Sequence, residues 1–456
     1  MKKGSAPLTL GTAGVGKLLL EYSIPAVIAM TASSLYNITD SIFIGHGVGA
    51  KALSGLAVTF PIMNLAAAFG TLVGVGGAAL LSLRLGQKDY DSANHILGNV
   101  LVLNLIFGLS FSAFALIFLK PLLVLFGASD AVLPYAYDFM VIILSGNVIT
   151  HMYMGMNALM RSAGHPRKAM AATLLTVFIN IILNPLFIFG FKWGIRGSAA
   201  ATVISQASVL AWQFGFFANS ENFIHLKKGI YRLKSEIVKG ITAIGIAPFL
   251  LNAAGCVIIV MINRQLTFYG GDLAIGAYGI INRVAFLFAM VVFGINQGMQ
   301  PIAGYNYGAG LYKRVTEVLK KSIIAAISVM TAGFIIVELF PHAVASVFTT
   351  ETKLIDLTVE GLRYVFMFYP IVGFQMVTLT FFQSIGMAKK TILLSLSRQI
   401  LLLIPLLLIL PRHFGIAGVW LSMPFADLLS TVTAATLLWY QFKQFKRHDY
   451  RTEFEV

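Results

Sequence analysis

Twelve stretches of mostly apolar residues, each long enough to cross a bilayer, recur from one end of this chain to the other. About 20 such residues span the hydrocarbon as a helix. In lipid the backbone has no water to bond, so it must satisfy itself within the segment. The runs lie near 18–43, 54–83, 94–119, 134–157, 168–190, 195–218, 238–267, 274–300, 317–340, 358–384, 391–410 and 415–441. The expected fold class is an all-α polytopic membrane protein with 12 transmembrane helices. A soluble enzyme is excluded, since only 11% of residues are charged against about 25% in ordinary soluble domains. The single cysteine, Cys256, rules out an internal disulfide and an iron–sulfur or haem spacing. The first run is too long for a cleavable signal peptide, and no small-residue cleavage site follows it.

The 33 Lys and Arg gather in the connections. If both tails are cytoplasmic, the tails and inner connections hold 23 of them and the outer connections hold 7. Arg283, Arg363 and Arg398 fall inside or at the ends of spans. Positive charge marks the cytoplasmic side, so both termini are predicted inside. The net charge of +15 is then a topology signal rather than a nucleic-acid signal. The clusters Lys227-Lys228, Lys320-Lys321 and Lys443-Lys446-Arg447 suit anionic lipid headgroups.

Motifs repeat at an offset of about 222 residues. Gly86 and Tyr90 after span 2 match Gly308 and Tyr312 after span 8. The pattern Ser-x-Gly-x-x-basic-Lys follows both span 4 (Ser162 to Lys168) and span 10 (Ser384 to Lys390). Gly194-Ile195-Arg196-Gly197 echoes Gly415-Ile416-Ala417-Gly418, and Pro25 has a near counterpart in Pro248. Six spans per copy is an even number, so both copies enter from the same side. The halves should be six-helix lobes related by a pseudo-twofold axis along the membrane normal. We expect an N-lobe over 1–218, a cytoplasmic connection over 219–237 and a C-lobe with its tail over 238–456. Two such bundles suit alternating access.

Asp40 and Asp427 lie inside spans, where a carboxylate costs several kcal/mol unless it faces polar groups or is neutralised. Asp40 shares a helical face with Ser33, Tyr36 and Asn37. Span 5 carries Thr173, Thr176, Asn180 and Asn184 at helical spacing. Span 6 offers Thr202 and Ser205, and span 4 offers Asn147, His151 and Asn157. These oxygens and amides can build a polar pocket around one acid. Burial favours the neutral form of a carboxyl group, so Asp40 could exchange a proton. Alternatively, the carboxylate with Asn180 and Thr202 could hold a sodium ion. Asp427 reads as a partner for local backbone or for Arg398, and His151 as a packed histidine. Phe60, Met63, Met152, Tyr153, Met156, Met290, Met299, Phe374 and Met376 fall on spans expected to line a central cleft. Such side chains accept flat apolar cations; ordinary helix packing is the competing reading for each.

Several segments, in order, resemble the multidrug and toxic compound extrusion (MATE) family of the MOP superfamily, in its bacterial MepA-like branch. They are Asp40-Ser41-Ile42-Phe43-Ile44-Gly45, Leu53-Ser54-Gly55, Gly86-Gln87, Arg161-Ser162-Ala163-Gly164, Asn180-Ile181-Ile182-Leu183-Asn184-Pro185 and Gly197-Ser198-Ala199-Ala200-Ala201-Thr202. The resemblance spans nearly the whole chain. It implies a secondary transporter of the bacterial cytoplasmic membrane that exports drugs or toxic organic cations against a proton or sodium gradient. It implies no organic cofactor, no enzymatic activity and no nucleic-acid partner, and a monomer suffices. By resemblance the coupling site falls on Asp40 with Tyr36, Asn37, Asn180, Asn184 and Thr202, and the helix-1 bending proline on Pro25. Many relatives carry Asp where this chain has Asn184. Another branch places acids where this chain has Asn252 and Gln375, so no C-lobe site of that kind is expected. A lipid or oligosaccharide-lipid flippase of the same superfamily is the rival. Such proteins tend to have additional spans and a more cationic cavity.

Overall fold

Every apolar run folds as a helix, as a backbone without water requires. The computed structural model describes the backbone of residues 8–454. The side chains of Asn37, Asp272 and 446–454 lie outside the described residues, and with them those of Lys446 and Arg447. Spans 1, 2 and 3 are Val15–Gly47, Ala50–Gly86 and Tyr90–Ile117. Span 4 is a bent pair, Leu133–Ser145 and Asn147–Ser162, turned by 54° at Gly146. Pro166–Gly190 and Ile195–Ala218 form spans 5 and 6. Ser235–Gly271, Leu273–Gly308 and Tyr312–Leu339 form spans 7 to 9. Span 10 is again a bent pair, Thr352–Phe366 and Tyr369–Ser384, turned by 53°. Pro370 sits in the first turn of its second helix, where a missing N–H costs nothing. The last helical stretch, Ala388–Phe445, has 58 residues. At about 1.5 Å per residue that is roughly twice what a bilayer needs. Its backbone breaks at Gly415, which divides it into spans 11 and 12.

The repeat seen in sequence recurs in backbone angles. Gly194 has φ 58°, ψ −138°, and Gly415 has φ 56°, ψ −134°. L-residues rarely adopt such angles, so glycine stands at both turns. Gly164 and Gly386 also match in sign of φ, at 94° and 75°, as do Gly49 and Gly271.

The chain divides into two compact units. The first holds 8–13 and Ile28–Asn252; the second holds Gly14–Val27 and Ala253 onward. Helices Val15–Gly47 and Ser235–Gly271 therefore each contribute to both units. The changeovers fall shortly after Pro25 and Pro248. In the first unit, a side chain added at Gly76 would strike the Ile241 carbonyl, and one at Gly245 the Leu72 carbonyl. Spans 2 and 7 thus touch backbone to backbone. In the second unit, Gly298 meets Ser23 and Gly294 meets Val27 in the same way. The Gly298–Ser23 contact is the Gly76–Gly245 contact displaced by 222 residues. Within the first unit Ile44, Phe111, Leu119, Phe139, Leu144, Ile188 and Ile195 pack into an apolar core. That core begins one turn beyond Asp40.

Candidate ion-coupling site

Three helices of the first unit each present two polar residues one turn apart. Span 1 supplies Tyr36 and Asp40, span 5 supplies Asn180 and Asn184, and span 6 supplies Ser198 and Thr202. In one layer, the Tyr36 hydroxyl and Thr202 Oγ1 are 2.8 Å apart, and Asn180 Nδ2 donates to the same Thr202 oxygen at 3.3 Å. In the next layer, Asp40 Oδ1 accepts from Ser198 Oγ at 2.5 Å and from Asn184 Nδ2. Asp40 is only 8% exposed, and Asn184 and Ser198 are fully buried. Among the described residues no Lys, Arg or His forms an ion pair with Asp40. Its charge is answered only by neutral donors. Asn184 Oδ1 has no partner. Asn184 precedes Pro185, and the helix then loosens into a π-helical turn over Leu186–Gly190. Such turns mark functional positions in many helices.

The geometry brings together Asp40 and Asn184 in one layer and Tyr36, Asn180 and Thr202 in the other. The side chain of Asn37 lies outside the described residues. Ser198 is the residue that sequence reasoning missed as a functional group. It stood only in the small-residue motif Gly197-Ser198-Ala199, which reads as close helix packing. The available signal was its spacing, one turn before Thr202.

A family model described as MatE matches residues 25–186 and 243–409, well over half of the chain. The chain belongs to the MatE family. It is 25% identical over 423 residues to the multidrug export protein MepA of Staphylococcus haemolyticus, covering 93% of each chain. Among solved structures, the MATE multidrug transporter DinF-BH in complex with rhodamine 6G is 36% identical, with a TM-score of 0.88 over 94% of this chain and 96% of that one. The outward-facing conformation of a MATE family transporter of the MOP superfamily is 22% identical with a TM-score of 0.91, covering 98% of this chain and 100% of that one, a likeness of fold.

Span 4 of this MatE protein carries further polar groups. Asn157 Nδ2 donates to Thr173 Oγ1 at 3.1 Å, and its Oδ1 accepts from Arg161 at 2.7 Å. Tyr153 faces Thr173, Thr176 and Asn157. Thr150 and Gln206 join spans 4 and 6 at 2.5 Å. His151 Nε2 donates to the Ala66 carbonyl at 2.9 Å, and the ring is 1% exposed, the geometry of a packed histidine. Of the proposed cleft residues, Met156 and Met299 are fully buried, Tyr153 and Met290 are 9% exposed, and Phe60 is 55% exposed. Met63, Met152, Phe374 and Met376 are half-buried.

Asp427 lies in the second unit, 6% exposed. Its Oδ1 accepts from Arg398 Nε at 2.5 Å.

Proposed function

We propose that this MatE-family chain is a secondary active multidrug efflux antiporter that exports amphipathic, often cationic compounds by alternating access. Protons drive it through Asp40. The observation that carries the reading is the buried Asp40 carboxylate held by Ser198 and Asn184 with, among the described residues, no cation facing it. A charge in that setting is costly. A proton or a bound cation removes the cost, and each step of uptake and release alters how the three helices are tied together. Both side chains on Oδ1 approach with donor hydrogens, which suits an acid that cycles between proton-bound and hydrogen-bonded forms. Sodium is the alternative, favoured by the unpartnered Asn184 Oδ1. Relatives described as multidrug export proteins, and a similar structure holding rhodamine 6G, support the substrate class.

In the same reading the protein lies in the bacterial cytoplasmic membrane with both termini cytoplasmic. Pro25 supplies the bend of span 1, because its ring leaves the carbonyl one turn earlier without a donor. Phe60, Met63, Met152, Phe374 and Met376 offer surface for drug contact.

The test is rhodamine 6G transport by purified protein in liposomes, with proton and sodium gradients imposed separately. A proton gradient alone should drive accumulation, and Asp40→Asn should bind dye without moving it uphill. Uphill transport by Asp40→Asn would refute the coupling role. Transport driven by sodium alone would replace the proton by sodium.

A further inference from the structure

We infer that the second unit contains a receiving site for a carboxylate group on an amphipathic cargo, built on the Arg398 guanidinium with Asp427 as its resident counter-ion. An arginine within a membrane span is expected to be fully engaged, because each unmatched N–H in low dielectric is costly. Here the pairing is one-point: only Nε reaches Asp427. Its two NH2 groups donate to nothing among the described residues. About a third of the arginine side chain is open, whereas the Asp427 side chain is 9% exposed. Of the pair, the arginine is the more exposed partner. A guanidinium presents its terminal N–H groups as a planar fork that matches two oxygens of a carboxylate.

Aromatic and polar groups of the second unit lie around the pair. Arg398 lies on a π-helical stretch, Ser397–Leu403, within span 11. Tyr278 of span 8 stands close enough to feel its charge and stacks on Trp420 at 6.5 Å between ring centres. Gln375 Nε2 donates to Ser430 Oγ at 2.5 Å, joining spans 10 and 12 one turn beyond Asp427. Gln375 is 7% exposed and its Oε1 has no partner. Asp427 balances the charge of the guanidinium when no anion is bound and competes with one that arrives. Competition of that kind lets a cargo leave as well as enter.

This inference rests on the multidrug reading and narrows its substrate class to include zwitterions. The experiment compares rhodamine 6G, a cationic ester, with its free carboxylic acid, which differs only by the exposed carboxylate. Binding is measured in phosphatidylcholine nanodiscs, and again with phosphatidylglycerol added. The double variant Arg398→Gln/Asp427→Asn leaves no unpaired charge. It should lose acid binding by about tenfold or more, the worth of a charge-assisted pair, with less than about twofold change for the ester. Asp427→Asn should tighten acid binding severalfold. Equal losses for both dyes, or acid binding unchanged in the double variant, overturn the site. Suppression of acid binding by phosphatidylglycerol assigns the fork to a lipid headgroup and overturns the cargo role. Failure of the wild-type protein to transport the ester defeats the multidrug reading instead, whatever the acid does.

Discussion

Among the described residues each unit buries one aspartate inside a span, and the two are partnered in opposite ways. Asp40 meets a serine hydroxyl and an asparagine amide and, among the described residues, no cation. Asp427 meets an arginine. Removing either partner of that pair would leave the other buried and unpaired. An acid held only by neutral donors has no partner to strand, so it can be neutralised during a cycle. The same residue type inside a span thus meets neutral donors in one unit and a guanidinium in the other.

The largest expected effect separates these roles by transport. A gradient of 100 mV acting on one charge is worth about 2.3 kcal/mol, an accumulation ratio of roughly fifty. Asp40→Asn should bring the accumulation of rhodamine 6G down to about one, while Arg398→Gln/Asp427→Asn keeps it near the wild-type ratio. The comparison breaks if the double variant also uncouples the gradient from dye movement in liposomes.

Stability should reverse that order. Arg398→Gln alone leaves Asp427 buried and unpaired, at a cost of about 3–5 kcal/mol. Asp40→Asn keeps shape and hydrogen-bonding neighbours and should change stability by less than about 1 kcal/mol. Thermal unfolding of the purified variants in detergent reads the difference directly. Equal losses would mean that Asp40 is also tied into a structural charge network.

Within the first unit, the two layers around Asp40 should differ in weight. Ser198→Ala removes a bond to an ionisable group, worth about 1.5–3 kcal/mol, and Tyr36→Phe a neutral one worth about 1 kcal/mol. Export rates in vesicles should fall about tenfold and a few-fold respectively. The reverse order would move the centre of the site to Tyr36 and Thr202.

Much of this was legible in the sequence because the bilayer imposes a simple rule. Apolar length marks the helices, and a charge inside one marks a place of interest, as with Asp40, Asp427 and Arg398. Helical spacing on spans 1 and 5 offered polar groups for a pocket around one acid, and the family resemblance placed Asn184 beside Asp40; the bond between them comes from the structure. Ser198 did not stand out, because a serine among alanines and glycines packs helices closely far more often than it binds an acid. The bends at Gly146 and before Tyr369 were equally silent, since hydropathy counts residues and carries no direction. Nor does connectivity reveal that 14–27 belongs with the second unit. That assignment comes from contacts such as Gly298 with Ser23, and they join residues far apart in the chain.

The smallest expected effect lies at a turn where the repeat has diverged. Asp89 caps the helix Tyr90–Ile117, its carboxylate accepting from the Ser92 amide at 3.1 Å. The equivalent residue of the second unit is Leu311, which caps Tyr312–Leu339 with no side-chain bond. The backbones nearly coincide, with φ −85°, ψ 76° at Asp89 and φ −85°, ψ 63° at Leu311. Burial works to raise the Asp89 carboxyl, but Ser92, Arg84 and Lys234 outweigh it and hold it below the usual carboxylate range. A lowered value means that the cap is intact at neutral pH and is lost only as pH falls through it. Asp89→Ala should therefore cost about 1 kcal/mol at pH 7 and progressively less in strong acid. Leu311 is 40% exposed, so Leu311→Asp can be made without opening the core and should gain up to about 1 kcal/mol. A gain at Leu311 that vanishes in acid, matched by the loss at Asp89, would show that the two turns still share one geometry. No gain at Leu311 would mean that the turns have parted in more than their side chains.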